Sequence, residues 1–153
     1  MAIALNLTVK IKQDEETLAR LAQLGEAFGT MVQPALDAAL ARSEKVHFAR
    51  VLVIDNTYLQ VLTEFDGDPL EYTTFFLEEL GPVFKAIFAL VEDAPPWEEL
   101  QEPNRFFEYT ASKNLRSLGT SADPKRGYLF TALGDTTVKE LKAAVAAPAQ
   151  QAA

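Results

Sequence analysis

From Ala4 to Ile11 the chain alternates, with Leu5, Leu7, Val9 and Ile11 apolar and Asn6, Thr8 and Lys10 polar. A period of two predicts a strand with one buried face. Asp14 then offers a helix cap, and Glu15 and Glu16 place negative charge in the first turn, where it suits the helix dipole. The period lengthens after it, with Leu18, Leu21, Leu24 and Phe28 at helical spacing. Gly29-Thr30 interrupts. A second helical segment to about Ala41 carries Val32, Leu36 and Leu40 on one stripe, with Pro34 near its start, where proline is tolerated.

Lys45 to Asp66, KVHFARVLVIDNTYLQVLTEFD, reads as two strands joined by a tight turn at Asp55-Asn56. Asp68-Pro69-Leu70-Glu71 follows as a helix start: Asp68 as cap, Pro69 at the first helical position and Glu71 at the capping-box position. Phe75, Phe76, Leu77 and Leu80 supply an apolar face. Gly81-Pro82 predicts a kink or restart, Val83 to Val91 continues the pattern, and Ala94-Pro95-Pro96 stops it. A short helix is expected from Asn104 to about Leu115. Ser117 to Gly127 reads as a polar loop and Tyr128 to Ala132 as a last strand. Gly134-Asp135 turns into a final helix with Thr137 and Glu140 as a capping box. The tail, AAPAQQAA, is low in complexity and expected to fray. The reading is one domain over residues 1–146 and a disordered tail over 147–153.

A hairpin with a two- or four-residue loop pairs odd positions of one strand with even positions of the other. One face then collects Phe48, Arg50, Leu52 and Ile54 with Leu59, Val61, Thr63 and Phe65, and is expected against the helices. The other collects His47, Ala49, Val51 and Val53 with Tyr58, Gln60, Leu62 and Glu64, beside Asn6, Thr8 and Lys10. A three-residue loop would swap one strand.

The element order, strand–helix–strand–strand–helix–strand with extra C-terminal helices, resembles the ferredoxin-like βαββαβ plan, an α+β class with an antiparallel sheet and helices on one face. The segments KVHFARVLVID and TEFDGD resemble an uncharacterised family of dimeric α+β barrel proteins within it. That resemblance implies a homodimer, in which a second subunit covers the open sheet face and leaves a cavity for a small apolar molecule. The wider superfamily includes haem enzymes, cofactor-free monooxygenases and plain binding proteins, so the resemblance by itself names no cofactor and no reaction. A purely structural or partner-binding protein, using the open sheet only as an interface, is the third expectation.

Charge and composition narrow the field. With 22 acidic and 14 basic residues the net charge is -8, which repels phosphate backbones and anionic lipid. Nucleic acid and membranes are therefore not expected partners. No run approaches the roughly 18 apolar residues of a membrane span, and no signal peptide opens the chain. There is no cysteine, which suits a cytoplasmic protein and removes thiolate chemistry. No glycine-rich phosphate loop and no G-x-S-x-G elbow is present. Asp66-Gly67-Asp68 with Glu71 fails the calcium-loop pattern, so no metal is expected. The candidate chemistry is the only histidine, His47, with Glu64 within cross-strand reach. That pair suits a general base or a haem ligand, with Lys10, Tyr58, Gln60 and Leu62 as ligand-binding neighbours on the same face.

Overall fold

The computed structural model describes residues 2–120 and 123–147. Three strands, β1 (Ile3–Lys10), β2 (Val46–Ile54) and β3 (Tyr58–Phe65), form one antiparallel sheet in the order β1-β3-β2. Between β1 and β2 run α1 (Glu15–Ala27), a π-helical turn (Phe28–Val32) and α2 (Gln33–Ser43). After β3 come α3 (Pro69–Phe88), α4 (Trp97–Leu100), α5 (Pro103–Ser112) and α6 (Val138–Ala146). The tail expected over 147–153 lies outside the described residues except for Ala147.

The caps read from the sequence hold. The Thr17 amide donates to Asp14 Oδ1 at 2.9 Å. Asp68 Oδ1 accepts from the amides of Leu70 and Glu71 at 2.9 and 3.0 Å. Thr137 and Glu140 close a reciprocal capping box. Glu71 turns away from Asp68 and pairs with Lys45 at 3.0 Å. The break expected at Gly29-Thr30 is absorbed as the π-helical turn, so the chain bends without leaving helix. In α3 the kink falls at Leu80, with φ -127° and ψ 23°, just ahead of Gly81-Pro82. Pro82 has no amide hydrogen to donate to the preceding turn, which is why the ladder breaks there.

One face of the sheet carries the core. Leu7, Val9, Leu59 and Val61 are buried with Leu21 of α1, Leu77, Ile87 and Phe88 of α3, and Phe106 of α5. A second cluster gathers Ala39, Val46, Phe65, Tyr72, Phe76 and Leu80. There Tyr72 stacks on Phe65 with ring centroids 4.0 Å apart. Tyr72, Phe76, Phe88 and Phe106 are thus core, as helical spacing predicts, while Phe107 belongs to neither cluster and lines a pocket.

Two features depart from the expected plan. Tyr128 to Ala132 is not a strand, so the βαββαβ order stops after its fifth element. The outer edge of β1 is instead satisfied by two other segments. Lys12 N donates to Leu90 O and Glu92 N to Lys10 O, both at 2.9 Å. Thr8 N donates to Lys113 O at 3.0 Å and Leu115 N to Asn6 O at 2.9 Å. With those groups paired, β1 offers no continuous free ladder for a fourth strand.

The second departure is in the hairpin. Asp55 and Asn56 both adopt positive φ, 51° and 50°, a conformation these two residue types tolerate. The Thr57 amide closes the turn on Ile54 O at 2.9 Å, and Thr57 O accepts from Ile11 N at 2.7 Å. Pairing with β2 therefore starts only at Ile54–Tyr58, and the loop is three residues long. Odd then pairs with odd. Ala49, Val51 and Val53 sit on the helix side with Thr63, Val61 and Leu59. Phe48, Arg50, Leu52 and Ile54 fall on the open face, the reverse of the two-residue-loop expectation.

Candidate functional site

The register of β2 shifts once more, between Val46 and Phe48. Val46 pairs with Phe65 and is buried among the helices, while Phe48 pairs with Glu64 on the open face. His47 is the extra residue of this β-bulge. A bulge lets two consecutive side chains lie on one side of a strand and re-aims them. His47 and Phe48 accordingly line the same cavity, with Glu64, Ala2, and Leu129 to Gly134 and Thr136 of the segment before α6.

This cavity has a volume of about 330 Å³. Its floor is the end of the open sheet face and its roof is the loop over residues 129–136. The roof segment is placed from both ends. Ser117 N donates to Arg126 O at 3.0 Å, and Gly127, with φ 79°, packs its backbone against the Ser117 carbonyl. A Cβ on Gly127 would stand 1.9 Å from that oxygen, so no other residue fits without moving the loop. At the far end α6 is tied to the hairpin, because the Val138 amide donates to Asp66 Oδ2 at 2.7 Å.

The other oxygen of that carboxylate holds the histidine. His47 Nε2 lies 2.9 Å from Asp66 Oδ1, and the two side chains are only 10% and 14% exposed. One carboxylate thus joins the bulge in β2, the end of β3 and the N-terminus of α6. If His47 Nε2 carries the proton, Nδ1 is its basic nitrogen, and Nδ1 has no hydrogen-bond partner among the described residues. Glu64, the partner expected from the sequence, lines the cavity but makes no bond to His47. Its Oε2 is buried with no hydrogen-bond partner among the described residues.

The remaining expected site residues are elsewhere. Lys10 pairs in register with Tyr58, whereas Glu64 pairs with Ala4. Six residues along a strand separate Tyr58 from Glu64 by roughly 20 Å. Lys10 reaches Glu92 at 3.6 Å. Gln60 Nε2 donates to Thr8 Oγ1 at 3.0 Å. Lys10, Tyr58, Gln60 and Leu62 share the open face with Glu64 but do not line its cavity.

Asp66 was legible only as a turn residue after the strand. The hairpin's backbone pairing runs one residue past Phe65, with Asp66 N donating to Lys45 O at 2.8 Å. That extension sets Asp66 beside the bulge. The 129–136 roof carried no signal beyond its apolar residues, which read as a strand.

A second cavity, of about 270 Å³, opens on the helix side over Leu5, Phe65 and Tyr72, with Lys125 and Arg126 at its rim. The Tyr72 hydroxyl there is already bonded to Thr63 Oγ1 at 2.9 Å. Burial, above all, pushes the Tyr72 pKa up to about 12. Among the described residues no group of His, Asp and Glu is arranged to hold a metal ion, and no helix is long and apolar enough to cross a membrane.

No family model matches the chain, and neither a curated protein nor a solved structure matches it significantly.

Proposed function

We propose that this chain is a small-molecule binding protein that acts as a homodimer, its site being the apolar cavity between the open sheet face and the 129–136 segment. The observation that carries this is the cavity itself: about 330 Å³, walled by Leu129, Phe130 and Leu133, with His47, Glu64, Thr131 and Thr136 as its polar side chains. Small-molecule sites have this make-up, a mostly apolar lining with a few placed polar groups, and volumes of roughly 300–1,000 Å³. The lower end of that range suits a ligand smaller than a tetrapyrrole. One protomer's cavity therefore does not fit haem, and haem handling is not part of this reading.

The homodimer follows from the open face. Phe48, Ile54 and Tyr58 are exposed there, and Phe130 is exposed beside them. Large apolar side chains exposed at both ends of one sheet face support an interface there. Helices on one sheet face and the strand order β1-β3-β2 agree with kinship to the dimeric α+β barrels. A second subunit over that face would enclose the cavity further. At a net charge of -8, nucleic acid is not a ligand of this reading.

The test uses N-phenyl-1-naphthylamine, a neutral apolar dye that fluoresces when it leaves water. Wild-type protein should bind it saturably. Ala132→Trp, which fills the cavity from an exposed backbone position, should abolish the signal without loss of folding. Equal dye binding by both proteins would place the dye elsewhere and remove the proposal.

One observation favours a second reading. The His47–Asp66 pair has the form of a histidine oriented by a carboxylate, which suits a general base. In that reading a cofactor-free enzyme uses His47 Nδ1 to take a proton from a substrate held in the same cavity. Its mark would be turnover that rises through the titration of one group and is lost in His47→Gln while dye binding persists.

A further inference from the structure

The ligand class follows from Glu64, and the inference rests on the cavity reading above. Glu64 Oε2 is buried with no hydrogen-bond partner among the described residues. Buried carboxylate oxygens are almost always paired, because leaving one bare costs its full desolvation. No donor among the described residues bonds Oε2 here. His47 is held by Asp66. Arg50 lies diagonal to Glu64 on the same sheet face, yet it is exposed and does not bond the buried Oε2. Most of the remaining wall is apolar, with Phe48, Leu129, Phe130 and Leu133 beside Thr131 and Thr136.

Glu64 lines the cavity with one oxygen covered and unpartnered, and a carboxylate so placed selects a ligand that brings its own donor. We infer that the cavity takes a small apolar amine, protonated at neutral pH, whose ammonium group is received by Glu64 and whose hydrocarbon body packs on Phe130 and Leu133. The ammonium supplies three donors and a charge opposite to that of the carboxylate, a stronger match than a hydroxyl. The net charge of -8 also raises the local concentration of cations and opposes anions. A carboxylate on the same hydrocarbon body would meet Glu64 with like charge.

Displacement of bound N-phenyl-1-naphthylamine by benzylamine, benzyl alcohol and benzoate tests this. Benzylamine should displace the dye at a concentration at least about tenfold below that of benzyl alcohol, the ratio expected for a charge-assisted over a neutral hydrogen bond. Benzoate should not displace it. In Glu64→Gln the advantage of the amine should vanish while the alcohol keeps its affinity. In Glu92→Gln, which removes one negative charge at the far end of the sheet, it should persist. Equal displacement by amine and alcohol in the wild type overturns the inference and leaves the cavity reading standing. So does an amine advantage that survives Glu64→Gln or is lost equally in Glu92→Gln. Failure of the dye itself to bind removes the cavity reading and this inference together. The wild-type ranking decides even if Glu64→Gln does not fold.

Discussion

His47 is paired with Asp66, at 2.9 Å, and not with Glu64, the carboxylate on its own stretch of sheet face. The β-bulge at His47 makes the difference. It turns the imidazole toward the end of β3, where Asp66 also receives the first amide of α6. Asp66 therefore works as a clasp between the hairpin and the C-terminal helix. Asp66→Ala should cost about 1–3 kcal/mol, because it strands a buried histidine nitrogen and a helix amide together. Chemical denaturation gives the cost. Hydrogen exchange should show it concentrated in α6, with amides there losing protection before those of β3.

Much of this molecule is legible in its sequence because the signals are local. Asp14, Asp68 and Thr137 cap their helices as read, and the break before Pro82 falls where its missing amide puts it. The face assignment of β2 is not local. It turns on Thr57, whose carbonyl is taken by Ile11 just past the end of β1, making the loop odd and exchanging the two faces. The bulge at His47 then restores the original parity for Val46 alone. Glu64 was legible as a candidate because β3 alternates cleanly. Asp66 was not, because its role depends on α6, 72 residues later.

The roof of the cavity depends on Gly127. Gly127→Ala must move the loop off Ser117, since the backbone there leaves no room and holds φ at 79°. The core clusters do not include this loop. Dye binding should fall at least about tenfold, as expected when a wall of the site moves, while the denaturation midpoint of the sheet changes little. Unchanged binding would show that the 129–136 segment does not form the site.

Phe48 is 69% exposed in a single protomer. Phe48→Asp should therefore change protomer stability by no more than about 0.5 kcal/mol, yet separate the proposed homodimer by burying a charge in its interface. Light scattering at micromolar concentration should report a dimer for the wild type and a monomer for the variant. A monomeric wild type contradicts the dimer.

Tyr72 fixes the response to alkali. Its pKa is raised by burial to about 12, above the ordinary tyrosine value of 10.0. The protonated form is favoured in the folded state, so this stabilisation is complete below pH 10 and is lost as pH rises toward 12. The loss should be on the order of 3 kcal/mol. Denaturation midpoints should fall steeply across that window, and Tyr72→Phe should flatten the fall.

The central claim is that the cavity beside His47 binds a small apolar molecule. Nuclear magnetic resonance of the isotope-labelled protein, titrated with N-phenyl-1-naphthylamine, tests it most directly. The account predicts saturable shifts concentrated at His47, Phe48, Glu64 and residues 129–136, with intermolecular contacts to Phe130 and Leu133. Shifts confined instead to the groove lined by Leu21, Phe28 and Val51, or no saturable shifts at all, would contradict it.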